Sequence, residues 1–186
     1  MACRNDIDAQ TVRDLLNYDA ETGLFTWRVR DRKYFSSEGR WRYWNQHFPG
    51  TPALATLRGK DGYFFGLLLK KGYLAHRIAW LHHTGDWPAE DIDHINHNRS
   101  DNRICNLRAA TRQQNRQNQS VPNTNKTGTV GVSWFHRTNR WRAFINLDRK
   151  QIHLGYFKRR EDADAARKAA EQTYQFHPNH GKNITC

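Results

Sequence analysis

Four side chains in the middle of the chain have the types that metal-assisted hydrolysis uses. Asp93 and His94 are adjacent, Asn106 lies twelve positions after His94, and Asn115 lies nine positions further on. A neutral imidazole can activate water near neutral pH, and a hard metal ion can neutralise charge that develops on a phosphate and on a departing 3′ oxygen. Because successive side chains on extended backbone point to opposite faces, Asp93 and His94 can take separate roles. The spacing predicts metal-dependent hydrolysis of phosphodiester bonds.

The charge of the chain predicts its partner. The 186 residues include 30 Lys and Arg against 18 Asp and Glu, which gives a formal net charge of +12. Such an excess favours a polyanion, and we expect double-stranded DNA rather than a small-molecule substrate. The longest apolar run, Tyr63 to Leu69, is interrupted by Gly66 and is too short to cross a bilayer, so we expect no membrane partner.

The N-terminus and the cysteines predict the compartment. Residues 1–8 lack the apolar core of a secretory signal, so we expect the chain to stay in the cytoplasm. Cys3, Cys105 and Cys186 are odd in number and far apart, which argues against a disulfide framework and fits a reducing compartment. All three thiols are expected to be free.

Several motifs follow one another in a fixed order through this central segment. They are Asp93-His94, Asp101-Asn102-Arg103, Asn106-Leu107-Arg108 and Gln114-Asn115. Together they resemble the active-site core of HNH endonucleases, in the branch common in phages and mobile introns where Asn replaces the last His. The resemblance implies a ββα-metal finger, two short strands and a helix, with its catalytic core at about residues 74–119.

The same resemblance implies a role for each residue. Asp93 holds the metal ion, His94 acts as the base, and Asn106 steadies the loop and orients His94 through hydrogen bonds. Asn115 is the second ligand, and Asn118 on nearly the same helical face is the alternative. Carboxylate and amide oxygens select Mg²⁺ or Mn²⁺ over Zn²⁺.

Other interpretations of these residues stay open. Asp93-His94 can be a turn pair with Asn115 an ordinary exposed helix residue. A structural zinc site could use His94, His97 and Cys105, although the paired Cys-x-x-Cys knuckles of some HNH relatives are absent. His97 also stands where close relatives often carry Gly, which puts the local turn geometry in question.

Hydrophobic periodicity predicts the elements around this core. The predicted elements are a helix through Val12, Leu15 and Leu16, a strand at 24–30, a hairpin of strands 53–58 and 63–69, a helix at 74–83 ending near Gly85, and a helix capped by Thr111. Arg77 and Arg108 are candidates for phosphate contacts. Residues 31–50 mix cationic and aromatic side chains without a clear period, so a DNA-facing loop and a packed insertion remain equally open.

The C-terminal part has a pattern of its own. Strands are predicted at 131–137, 140–146 and 150–157, and a helix from about Arg160. The motifs Gly-Val-x-Trp, Arg-Trp-x-Ala-x-Ile, Leu-Gly-x-Phe and Glu-Asp-Ala-x-x-Ala within residues 128–178 resemble the plant ethylene-response-factor DNA-binding domain. The resemblance implies a three-stranded antiparallel sheet, packed on a helix, that enters the major groove.

Five residues of these strands are candidates for DNA contacts. They are Trp134, Arg137, Arg140, Trp141 and Arg142, although one tryptophan is expected to pack under the helix instead. Ser133 stands where the plant domains usually carry Arg, so their sequence preference does not transfer.

These observations predict an α+β protein in two parts. Residues 1–119 form the HNH endonuclease module with N-terminal accessory strands, 120–128 a linker, 129–178 the DNA-binding domain and 179–186 a tail. The predicted activity is a DNA endonuclease that nicks as a monomer in a bacterial or phage-infected cell. A non-catalytic, sequence-specific DNA-binding regulator and an RNA-directed nuclease are the alternatives.

Overall fold

The computed structural model describes residues 6–59, 61–118, 121, 125, 127–147 and 150–182. The chain divides into two units, Met1–Ala109 and Ala110–Cys186. Within the described residues, no helix has the length and apolar character needed to cross a membrane. The structure mixes helices and sheets, as expected for the α+β class.

In the described residues of the first unit, three helices combine with eight short strands. They are α1 (Ala9–Leu15), β1 (Leu16–Tyr18), β2 (Phe25–Trp27), α2 (Glu38–His47), β3 (Pro52–Ala53), β4 (Thr56–Leu57), β5 (Phe64–Leu68), β6 (Lys71–Leu74), α3 (Ala75–Thr84), β7 (Asp91–His94) and β8 (Leu107–Ala110). Turns of 3₁₀ helix lie at Arg32–Tyr34 and Ile104–Asn106. The strands form the sheets β1-β2-β3 and β4-β5-β6 and the pair β7-β8.

The core of this unit forms where α1 packs against α3. Val12, Leu15 and Leu16 are fully buried there, as are Leu68 and Ile78. Burial of each such side chain contributes about 1.5–3 kcal/mol. The predicted helix at 74–83 is confirmed as α3, and Gly85 ends it in the left-handed conformation at φ 91°, where a side chain would be strained.

Residues 31–50 contain a helix that the sequence does not predict. In α2 no residue is fully buried, because aromatic and charged side chains surround it without a single apolar face. Trp44 stacks on Phe48 at a ring distance of 4.3 Å, and the Arg30 guanidinium lies 3.8 Å from the Trp44 ring and 4.5 Å from the Trp27 ring. Burial lowers the pKa of Arg30 to about 10. These contacts favour the packed-insertion interpretation of this segment.

The second unit contains α4 (Arg112–Gln117), β9 (Val132–Phe135), β10 (Arg140–Leu147), β11 (Lys150–Phe157) and α5 (Arg160–Thr173). The strands form an antiparallel sheet in the order β11-β10-β9, and α5 packs against all three. Val132, Ala143 and Ala163 form its core, with Trp141, Leu154 and Phe157 packed around them. The small side chains of α5 allow this close approach.

The division between the units lies before α4, whereas the sequence places the domain boundary at residue 119. Within the second unit the backbone N–H of His177 donates to the carbonyl of Gln117 at 3.3 Å, and the predicted domain bounds stay a prediction. Most of the predicted linker lies outside the described residues.

The strand register decides which side chains share a face of this sheet. Trp134 lies directly opposite Trp141, with the rings edge to face at 5.3 Å, and Trp141 packs into the core under α5. Both tryptophans therefore lie on the face that α5 covers. Trp141 is thus the tryptophan that packs under the helix, as expected for one of the pair, and a DNA contact by Trp134, which is 39 % exposed, stays a prediction.

The other face of the sheet carries the arginines, and we call it the open face. Arg140, Arg142 and Phe144 lie on this face because they alternate along β10 with Trp141 and the buried Ala143 and Ile145. Phe135 pairs with Arg140 and Tyr156 with Arg142, so they share the face. The Arg142 guanidinium lies 5.5 Å from the Phe135 ring and 4.9 Å from the Phe144 ring.

Candidate active site

Two paired strands position Asp93 and His94. Both residues lie on β7, both are buried at 7 % and 4 % exposure, and β7 pairs with β8. The N–H of Ile95 donates to the carbonyl of Asn106 at 2.9 Å and closes the loop between the strands. The two adjacent side chains are therefore held on regular backbone at the start of a short loop.

The side chain of Asn106 holds this loop through two hydrogen bonds. Its Oδ1 accepts from the N–H of Asn96 at 2.9 Å, and its Nδ2 donates to the carbonyl of Asp101 at 2.8 Å. The Asp101 carboxylate accepts from Asn96 and Arg103, and the Arg103 bond holds the pKa of Asp101 below its usual range. The buried Asn106 side chain therefore holds the loop at two points, Asn96 and Asp101. Such an arrangement is expected of a group that orders a loop.

A side-chain contact to the ring of His94 comes from Asn102, which is not among the site residues predicted from the sequence. Oδ1 of Asn102 lies 3.4 Å from Nε2 of His94, and the Asn102 carbonyl accepts from the hydroxyl of Tyr18 at 2.7 Å. An amide oxygen can only accept, so a hydrogen bond between these two atoms requires the proton on Nε2. In the sequence Asn102 is visible only as part of a motif, and its partner Tyr18 is far away.

Aromatic rings enclose His94. The centroid of its ring lies 5.1 Å from that of His76 and 5.7 Å from that of Tyr63. Burial lowers the pKa of His94 below its ordinary value, and the hydrogen bond to Asn102 and the charge of Asp93 oppose this shift. The imidazole is therefore held in the neutral form that a base requires.

His76 makes the stability of the first unit sensitive to acid. Burial, with His94 and Arg77 adding to it, lowers the pKa of His76 to about 3. Since the unfolded chain binds a proton near pH 6.5, stability is complete above that pH and falls as the pH drops towards 3, by up to about 1.4 kcal/mol per pH unit.

We expect His76→Gln to remove this part of the acid sensitivity. Urea unfolding at pH 7.5, 6 and 5 measures it, and His83→Gln, a change at an exposed position on α3, is the control. A pH dependence of His76→Gln equal to that of the wild type would show that another group is responsible.

His97 adopts the left-handed conformation, at φ 64°. The turn at His97 therefore has a backbone conformation that favours glycine. A side chain in that region costs about 1–2 kcal/mol, and the greater freedom of unfolded glycine offsets part of the gain.

We expect His97→Gly to raise the free energy of unfolding by about 0.5–1 kcal/mol in urea denaturation. Asn139→Gly is the matched control, because Asn139 has φ 51° and the short side chain of asparagine can hydrogen-bond locally in this conformation. A destabilised His97→Gly protein would mean that the imidazole contributes more than its backbone costs.

Arg108 holds the carboxylate of Asp93. Its Nε and Nη2 both donate to Oδ2 of Asp93, at 2.9 and 2.7 Å, and the Arg108 side chain is 30 % exposed. Such a two-pronged contact fixes the direction of a carboxylate better than a single bond does. The sequence predicts a phosphate contact for Arg108, and the structure shows it engaged with the predicted metal ligand.

Arg77 occupies a buried position. It is 7 % exposed on α3, with its guanidinium 5.6 Å from the ring of Trp87. Its place inside the unit favours a packing role over the DNA contact that the sequence predicts for it.

Asn115 and Asn118 lie at the end of α4 in the second unit. The helix begins with the predicted cap, because Thr111 accepts from the N–H of Gln114 and the Gln114 side chain accepts from the N–H of Thr111. Asn118 is the C-terminal cap and is buried at 2 % exposure. Metal binding by either residue remains a prediction.

The alternative zinc site does not form. Among the described residues, no three His, Cys, Asp or Glu side chains come together closely enough to hold a metal ion. Cys105, the described cysteine of that set, is free and exposed. Cys3 and Cys186 lie outside the described residues.

Comparisons with known proteins place this site in a family. Residues 73–117, from β6 to the end of α4, match the family model described as HNH endonuclease. The chain is also similar to "Protein 3.8" of Escherichia phage T7, with 30 % identity over 91 residues that cover 45 % of this chain and 75 % of the phage protein. No solved structure matches the chain significantly.

The chain therefore belongs to the HNH endonuclease family, whose members typically depend on a divalent metal ion and act on nucleic acid. The matched residues include Asp93, His94, Asn106, Arg108 and Asn115. They do not extend to β9, β10, β11 or α5, so the resemblance of that region to the plant DNA-binding domain stays a prediction.

Proposed function

We propose that this protein is a DNA endonuclease that uses Mg²⁺ or Mn²⁺ and hydrolyses one phosphodiester bond per encounter as a monomer. The observation that carries the proposal is the buried neutral His94 beside Asp93, whose carboxylate is held in direction by Arg108. A base and a hard oxygen donor on one short strand are the two groups that such hydrolysis needs.

His94 would take the proton of the attacking water. In this proposal Nε2 donates to Asn102 and Nδ1 receives the proton. Tyr63 and His76 limit solvent around the ring, and this burial lowers the pKa of His94 and keeps the imidazole neutral. Asn106 acts on His94 indirectly, since its hydrogen bonds fasten the loop at Asn96 and Asp101.

The donor set of the site fits a hard cation. As proposed ligands, Asp93 would supply a carboxylate and Asn115 an amide oxygen, with Asn118 as the alternative. None of these side chains offers the sulfur or imidazole donor that zinc prefers. When bound, a divalent ion would supply positive charge to the phosphate and to the departing 3′ oxygen. Arg108 keeps Asp93 oriented, and its 30 % exposed side chain leaves it able to approach a phosphate as well.

The open face of the second unit would bind the DNA. Arg140 and the neighbouring Arg137 are exposed, and Arg142 lies between the rings of Phe135 and Phe144. Cationic side chains on a twisted sheet suit the phosphates and guanine edges of a major groove. The resemblance of residues 128–178 to the plant domain supports the same role. Residues 1–119 would then form the nuclease module, and we propose that the protein acts in the cytoplasm.

A substrate panel tests this proposal. Purified protein is incubated with Mg²⁺ and with supercoiled plasmid, linear duplex, single-stranded DNA or RNA, and each product is followed in time. We expect open-circular plasmid to form first. Binding without cleavage of any substrate would favour the regulator, and faster cleavage of RNA than of duplex DNA would favour the RNA-directed alternative.

A further inference from the structure

A cavity of 560 Å³ lies within the second unit, apart from the proposed catalytic residues. Its volume is within the range of about 300–1,000 Å³ that small-molecule sites occupy. The lining residues that matter here are Arg112 and Arg116 of α4, Phe144 and Asn146 of β10, Arg167 of α5, and Phe176. The lining contains arginines, amides and aromatic rings but, among the described residues, no carboxylate.

The helix α4 turns one side towards this cavity. Arg112, Gln113, Arg116 and Gln117 line it, and at 3.6 residues per turn these positions share one face. Gln114, Asn115 and Asn118 fall on the opposite face, so the cavity does not use the predicted metal ligands. Arg112 and Arg116 are exposed, and neither forms an ion pair within the part of the chain that the structure describes.

Arg167 is a buried cation in the lining of this cavity. It is 2 % exposed, its Nε donates to the carbonyl of Val130 at 2.8 Å, and the same atom lies 3.2 Å from Glu171. Its Nη1 is buried and has no hydrogen-bond partner among the described residues. The Arg167 guanidinium therefore adds a positive charge to the cavity lining.

We propose that this cavity binds a nucleotide through its phosphate. Arg112 and Arg116 contact the phosphate, the Arg167 guanidinium adds positive charge to the lining, and the rings of Phe144 and Phe176 offer apolar surface to the base. Phe144 and Asn146 also alternate with the buried Ala143 and Ile145, so they lie on the side of β10 that carries Arg140 and Arg142. The nucleotide that the cavity binds is either free or part of the bound DNA.

Calorimetric titration with thymidine 5′-monophosphate at low salt tests the site without any cleavage. We expect saturable binding, at least about tenfold weaker binding of thymidine, and a loss of about tenfold or more in Arg112→Gln/Arg116→Gln. Arg159→Gln/Lys168→Gln removes two exposed charges from the same unit outside the cavity and should bind normally. Asn146→Asp, which adds a negative charge to the lining, should weaken binding as well.

A duplex-binding measurement distinguishes the two sources of the nucleotide. If Arg112→Gln/Arg116→Gln weakens duplex binding more than the control does, the nucleotide belongs to DNA; if duplex binding is unchanged while the mononucleotide no longer binds, the ligand is free. The proposal is overturned if the wild type does not bind the mononucleotide, if inorganic phosphate binds equally well, or if the cavity variants bind like the control. None of these results would affect the nuclease proposal.

Discussion

Replacing His94 by alanine is expected to slow DNA cleavage by about 10²–10⁴-fold, because this is what a positioned general base contributes. DNA binding should change little, since His94 is 4 % exposed and the proposed DNA contacts lie on another unit. Single-turnover cleavage of a labelled duplex at saturating protein gives the rate, and fluorescence anisotropy gives the affinity.

A control variant and a folding measurement distinguish loss of the catalytic base from unfolding of the protein. His83→Ala removes an exposed histidine from α3 and should cut at the wild-type rate. Circular dichroism and urea unfolding should show a folded His94→Ala protein. Cleavage by His94→Ala at the wild-type rate would refute its assignment as the base.

The second large effect concerns Arg137 and Arg140. Arg137→Gln/Arg140→Gln should bind duplex DNA about tenfold or more weakly, and the slope of log affinity against log salt should fall by up to about 0.9 for each phosphate that the variant no longer neutralises. Affinity and salt dependence both fall because fewer counterions are released from the DNA when Arg140 of the open face and the neighbouring Arg137 lose their charges. Affinity measured at several salt concentrations gives both quantities.

Arg159→Gln/Lys168→Gln again provides a variant of equal charge, with both changes on or next to α5 rather than on the open face. An equal loss of affinity in both double variants would mean that overall charge, and not the open face, determines DNA binding. Mononucleotide binding in the cavity should survive in Arg137→Gln/Arg140→Gln, because neither residue lines it.

The sequence predicts best where the signal is local. The cap at Thr111 and the end of α3 at Gly85 each depend on a few neighbouring residues, and both are confirmed. The family motif likewise locates the segment that matches the HNH endonucleases. In these cases residue type and short spacing are sufficient.

Contacts between distant residues could not be predicted. Tyr18 reaches Asn102, Tyr63 packs on His94, and Arg108 engages Asp93 through pairing of β7 with β8. Each contact depends on tertiary packing or strand register, which the pattern of a single strand does not determine. The same reason explains the face taken by Trp134.

The helix α2 could not be predicted from the sequence for a different reason. Its residues include aromatic and charged side chains on every side, so no apolar stripe shows helical periodicity. Its aromatic side chains pack locally, as Trp44 does with Phe48, and partly around Arg30. Only the structure could show that such a mixture forms an ordered helix.

The metal dependence of plasmid cleavage tests the central proposal most directly. Single-turnover nicking of supercoiled plasmid is measured over a Mg²⁺ titration, and after EDTA, for the wild type and for Asp93→Ala, with duplex binding measured for both proteins. We predict saturable, EDTA-sensitive nicking by the wild type and no nicking by an Asp93→Ala protein that still binds DNA. Nicking in EDTA, or the same Mg²⁺ dependence in Asp93→Ala, would contradict the proposed site.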